Sequence, residues 1–242
     1  DGVVINNGFN DTLTNDGTIK GGTGAGLYVN GVSLSLFTNA GEISSTSGAG
    51  INIDSALMQK NTVRNRGNIF GGGAGVGVLG GLGEETVENV GTIAGGSMST
   101  TAINLGEGND VLINGNNVNA NATIGGDVVM GKGDDKIENY ADIKRTVDMG
   151  DGNDQLTNTG VIGSSAAGIG NVGMGNGDDT VTNSGTITGS ISLGDGANVL
   201  TNSAGGKIDG SITAGVGDDK IINSGVIGGN ISLGDGNSEL TL

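Results

Sequence analysis

The chain has 242 residues, 53 of them Gly, with no Pro, Cys, His or Trp and a formal net charge of −16. Ordinary chains carry roughly 7% Gly, and each Gly costs about 1 kcal/mol against Ala inside a helix. The composition therefore argues against a helical fold, and the absence of Pro excludes collagen and polyproline.

Charge narrows the partners. Residues 1–104 carry eight acids and four bases, and residues 105–242 carry eighteen acids and six bases. An acidic chain opposes nucleic-acid binding, which needs Lys and Arg to neutralise phosphates; it favours cations. Two Tyr and three Phe are too few for a broad core, whereas many small aliphatics suit a narrow one. No apolar run reaches the roughly 18 residues of a membrane-spanning helix, so no membrane insertion of this segment is expected. The opening residues, Asp1-Gly2-Val3-Val4, lack the charged and apolar regions of a signal peptide, which is expected to be gone or never present.

Along the chain one pattern recurs. Asn-x-Gly-x-Ile begins at Asn15, Asn39, Asn65, Asn89, Asn158, Asn183 and Asn223, and at Asn139 with Ala141 replacing Gly. Asn114 and Asn202 hold the same place with insertions before Ile124 and Ile208. The ten asparagines recur at steps of 19 to 26 residues. Two residues before each stands an apolar residue, from Leu13 and Phe37 to Leu200 and Ile221, and a spacing of two puts both side chains on one strand face. From Ile103 onward a third alternating strand precedes each turn, as in Val128/Met130 and Val147/Met149.

A repeat of this length with three short strands and glycine corners is one coil of a parallel β-helix. Parallel crossovers are overwhelmingly right-handed, so the expected fold is an all-β, right-handed solenoid. About ten coils would span roughly 48 Å at about 4.8 Å each. The asparagines are expected to point inward and form a hydrogen-bonded ladder. The chain is read as one structural domain with two stretches, coils 1–104 and more acidic coils 105–242.

The acidic stretch carries Gly-x-Gly-x-Asp corners, at Gly106–Asp110, Gly131–Asp135, Gly150–Asp154, Gly175–Asp179 and Gly215–Asp219, with Asn198 and Ser238 replacing Asp in two more. After the first Gly, acids stand at Glu107, Asp151, Asp195 and Asp235; after the second, at Asp134, Asp178 and Asp218. The two sets occupy alternate coils, which avoids stacking like charges about 5 Å apart. Two readings follow. Pairs such as Asp134 with Asp151, Asp178 with Asp195 and Asp218 with Asp235 flank Ca²⁺, which takes carboxylate and carbonyl oxygens, with Glu107, Asp110, Asp135, Asp154, Asp179 and Asp219 as the further candidate ligands. Alternatively the acids cap tight turns, with Asp110, Asp135, Asp154, Asp179 and Asp219 bonding N–H groups of their own turn. The corners resemble half of the RTX nonapeptide, which implies calcium between turns; here they recur every 19 to 25 residues, not every nine. No cofactor is required by either reading.

Catalysis finds little support. Without His or Cys, Ser-His and Cys-His pairs are impossible, and zinc would need carboxylates alone. The five aromatics, Phe9, Tyr28, Phe37, Phe70 and Tyr140, suggest no sugar platform. The expectation is a non-enzyme.

The phrases LTNDGTIKG, LTNTGVIG and VTNSGTITG resemble the passenger segments of bacterial autotransporters and related large surface adhesins. The resemblance implies a right-handed β-helix displayed on, or shed from, a Gram-negative surface. Extracellular localisation, an unknown host or cell-surface ligand, and head-to-tail self-association into a fibre are the corresponding expectations. A calcium- or glycan-binding module is the alternative.

Overall fold

A computed structural model describes residues 1–6, 12–31, 36–54, 59–118, 120–164 and 170–242. Phe9 lies outside the described residues. Among those described, every regular element is a β-strand, and three parallel sheets hold eleven, eleven and ten strands. Val3–Asn6 lies in the first sheet, Thr12–Asn15 in the second and Thr18–Lys20 in the third. Leu27–Asn30 then returns to the first sheet and pairs with Val3–Asn6. The same round repeats along the chain, making an all-β solenoid with three strands per coil.

The core follows from strand parity. The third sheet stacks isoleucine on isoleucine: Ile19, Ile43, Ile69, Ile93, Ile124, Ile143, Ile162, Ile187, Ile208 and Ile227 stand in register. The second sheet stacks Leu13, Phe37, Val63, Val87, Leu112, Ile137, Leu156, Val181, Leu200, Ile221 and Leu240. Most of these are fully buried, and each buried aliphatic side chain contributes about 1.5–3 kcal/mol. A narrow triangular core therefore needs few aromatics.

The first sheet corrects one sequence-based expectation. The third strand of each coil is legible only from Ile103, yet Leu27–Asn30, Ile51–Asp54 and Val78–Leu79 already build the same sheet. Leu27, Val29, Ile51 and Ile53 alternate inward and are buried, but no Gly-x-Gly corner follows them to mark the strand. All three sheets continue across residue 104 through Val78↔Ile103, Val87↔Leu112 and Ile93↔Ile124.

Glycine is required where the first sheet turns into the second. Gly131 has φ 117°, which side chains rarely adopt, and an added Cβ would overlap the carbonyl oxygen of Gly106 in the coil before.

Candidate functional site

Each coil presents three inward positions in succession at the second sheet: a polar residue, which from Asp110 on stands just before the strand, then an aliphatic residue and an asparagine within it. In the middle coils these are Asp135, Ile137 and Asn139, all buried. Alternation at period 2 points all three into the solenoid. Stacking then makes two polar columns flanking one apolar column.

The asparagine column is a continuous amide chain. Asn15 Nδ2 donates to Asn39 Oδ1 at 2.8 Å, and the same bond runs through Asn65, Asn89, Asn114, Asn139, Asn158, Asn183, Asn202 and Asn223 at 2.8–2.9 Å. Each Nδ2 has a second proton, which reaches corner carbonyls; Asn65 Nδ2 donates to Gly67 O at 3.0 Å and to Thr92 O at 3.1 Å. Burial is affordable because every amide is both donor and acceptor.

The second column runs through Asn61, Glu85, Asp110, Asp135, Asp154, Asp179, Asn198, Asp219 and Ser238. Its aspartates do not cap their own turns, contrary to the turn-capping expectation; each accepts from the coil before. Glu85 N–H donates to Asp110 Oδ1 at 2.7 Å, Asp110 N–H to Asp135 Oδ1 at 2.7 Å, Asp135 N–H to Asp154 Oδ1 at 2.8 Å and Asp154 N–H to Asp179 Oδ1 at 2.8 Å. Asn198 N–H donates to Asp219 Oδ1 at 3.1 Å.

These carboxyls are 0–1% exposed. The Oδ2 atoms of Asp110, Asp135, Asp154, Asp179 and Asp219 have no hydrogen-bond partner among the described residues. Burial pushes Asp110 up to about 8, opposed by the Glu85 N–H and helped by the charges of Glu85, Asp135 and Glu84. Burial likewise lifts Asp135 and Asp179 to about 7 and Asp154 to about 6, each partly offset by the N–H it accepts.

The other acids face solvent in two outer rows. One row stacks Glu107, Lys132, Asp151, Asn176 and Asp195 and continues through Val216 to Asp235. The other follows Asn109, Asp134, Asn153 and Asp178 to Ala197, and pairs Asp218 with Asn237. Each acid therefore alternates with a neutral or basic residue. Lys132 Nζ pairs with Glu107 Oε1 at 3.1 Å, and Asn176 Nδ2 donates to Asp151 Oδ1 at 2.7 Å. In the second row the bonds run opposite to the buried column: Asn153 N–H donates back to Asp134 Oδ1 at 2.8 Å. The pairs expected to flank Ca²⁺ are split between the two rows. Among the described residues no three acids converge as a metal site.

Glu85 and Asn61 extend the buried column into the first stretch, where no acidic corner was expected. Asn61 Nδ2 donates to Glu85 Oε1 at 3.1 Å. The usable signal was spacing: Asn61 and Glu85 stand two before Val63 and Val87, as Asp110 stands two before Leu112.

The outward residues between apolar and asparagine positions form a mixed row. Thr14 and Thr38 give way to Arg64, Glu88, Ile113 and Glu138 before Thr157, Thr182 and Thr201 resume. Arg64 Nε meets Glu88 Oε2 at 2.6 Å within this row. No helix of the described residues is long and apolar enough to cross a membrane. Compared with protein-family models, with curated proteins and with solved structures, the chain matches none.

Proposed function

We propose that this chain is a rigid, non-enzymatic rod segment of a bacterial surface or secreted protein, serving as stalk, fibre or adhesive shaft. One observation carries the reading. An unbroken amide column ties ten successive coils in one register, and among the described residues every regular element is one of the stacked strands. Such a body is long, stiff and solvent-facing, and suits a spacer better than a reaction centre. The sequence phrases shared with autotransporter passengers point the same way.

Immunogold micrographs of the native protein on intact bacteria test the proposal. Rods outside the envelope, lengthening by about 4.8 Å per coil, are expected. Compact particles confined to the cytosol would overturn it. Sedimentation of the same material separates single rods from end-to-end fibres.

A second reading, glycan binding, is favoured by one shallow groove across successive coils, lined by Tyr140, Asp142, Thr159, Ser184 and Thr186. Tyr140 Oη donates to Glu138 Oε2 at 3.0 Å, which holds the ring beside the groove. A glycan array showing binding that Tyr140→Ala abolishes would favour this reading over a plain spacer.

A further inference from the structure

We propose that Asp110, Asp135, Asp154 and Asp179 are carried as neutral carboxylic acids, each donating its Oδ2 proton to glycine carbonyls of its own corner, so that the solenoid is a proton-binding column that is firmest in mild acid. The inference is independent of where the rod is displayed.

The template for this bond lies in the column itself. Asn198 occupies the aspartate position between Asp179 and Asp219. Its Oδ1 accepts the Asp179 N–H at 2.9 Å, just as the aspartates accept from their neighbours. Its Nδ2 then donates to Gly196 O at 3.2 Å and Gly194 O at 3.4 Å. The same glycine pair precedes each aspartate at the same spacing and in the same backbone region: Gly131 and Gly133 at φ 117° and 131°, Gly150 and Gly152 at 105° and 144°, Gly175 and Gly177 at 99° and 137°. Gly106 and Gly108, at 101° and 121°, precede Asp110 likewise. Where Asn198 has its NH₂, the aspartates therefore present Oδ2 to carbonyl oxygens. Two acceptors do not bond without a hydrogen between them, and an ionised buried oxygen facing a carbonyl is repelled. One proton per carboxyl resolves both.

The other neutral member also accepts and donates, though with different carbonyls. Ser238 Oγ accepts the Asp219 N–H at 3.1 Å and donates to Gly217 O of the coil before at 3.4 Å, with Leu233 O of its own coil at 3.5 Å. Asn, Ser and protonated Asp share one property that ionised Asp lacks: each accepts and donates.

The charges around the column all oppose ionisation. Asp110 meets Glu85, Glu84 and Asp135; Asp135 meets Asp154 and Asp134; Asp154 meets Asp134, Asp151 and Asp148; Asp179 meets Asp154 and Asp178. Burial lifts them to about 6 to 8, above the ordinary 3.8. Between those limits the folded chain holds more protons than the unfolded chain, so stability falls as pH rises. The contribution is complete below about pH 4 and gone above about pH 8.

Thermal melting of the full chain from pH 4.5 to 9 tests this, with three variants beside the wild type. The wild type should lose melting temperature as pH climbs from 5 to 8. Asp135→Asn/Asp154→Asn should flatten that fall and melt higher at pH 8. Asn198→Asp should steepen it, melting close to wild type at pH 5 and lower at pH 8. Asp134→Asn/Asp178→Asn, which removes two exposed charges, should leave most of the slope. The infrared band of protonated carboxyls at pH 6 should shrink in Asp135→Asn/Asp154→Asn. A wild-type melting temperature that is flat or rises over this range would overturn the proposal. So would a fall unchanged in Asp135→Asn/Asp154→Asn, or calcium chloride at pH 8 restoring the wild type but not that variant, which would place a cation in the slot.

Discussion

The two polar columns that flank the apolar column of the second sheet sit four residues apart, as in Asp135 and Asn139, and they solve burial differently. The asparagine column closes on itself, since each amide gives to one coil and receives from another. The acid column has its acceptors filled on one side only, leaving five buried oxygens without partners. Equal burial of a side-chain oxygen thus has opposite consequences, depending on whether the group carries its own hydrogen. The amide column is indifferent to pH; the acid column is complete only when protons are supplied.

Breaking the amide column should be costliest. Asn139→Ala strands the Nδ2 of Asn114 and the Oδ1 of Asn158, and frees the Ala141 carbonyl. At about 1–3 kcal/mol for each buried group left unpaired, a loss of roughly 3–5 kcal/mol is expected, read from urea unfolding at any pH between 5 and 8. The apolar column between the two gives the next yardstick: Ile137→Ala should cost about 2–5 kcal/mol, again without pH dependence.

Asp154→Ala sharpens the contrast. It strands the Asp135 N–H, for about 1–3 kcal/mol at pH 5. At pH 8 the same change also removes an unfavourable buried charge, so the measured loss should be smaller. An equal loss at both pH values would mean the two columns behave alike. In the outer row Asp178→Ala removes only the exposed acceptor of the Ala197 N–H, for about 0.5–1.5 kcal/mol. Least of all, Arg64→Met removes a half-exposed ion pair with Glu88, worth about 0–1 kcal/mol and diminishing with salt.

The amide column was legible because Asn-x-Gly-x-Ile keeps residues at fixed offsets around each Asn, and the offset of two to an aliphatic settles which way it faces. The inward direction of Asp135 followed from the same parity. Which N–H it would accept did not follow, because that depends on how one turn stacks on the next, and no residue pattern encodes it. The outer acids illustrate the same limit. Their alternation between coils was plain in sequence, yet only the structure shows Asp134 and Asp151 belonging to different rows. Glu85 was overlooked because Glu, not Asp, closes its corner, although Gly81 and Gly83 precede it just as Gly106 and Gly108 precede Asp110.

Coil length varies, but not everywhere. From Leu105 to Leu112, Met130 to Ile137, Met149 to Leu156, Met174 to Val181 and Leu193 to Leu200 the span is always seven positions. Extra residues enter instead at the other two corners: after the asparagine, as between Asn114 and Ile124 or between Asn202 and Ile208, and between the third and first sheets, where Ile162 to Val172 spans ten positions and Ile187 to Ile191 four. For an engineer this makes the rod a display scaffold with one closed edge and two open ones. An epitope grafted beyond Asn114 replaces an insertion the fold already accommodates, whereas one spliced into the seven-residue edge would break the stacking that the buried carboxyls depend on.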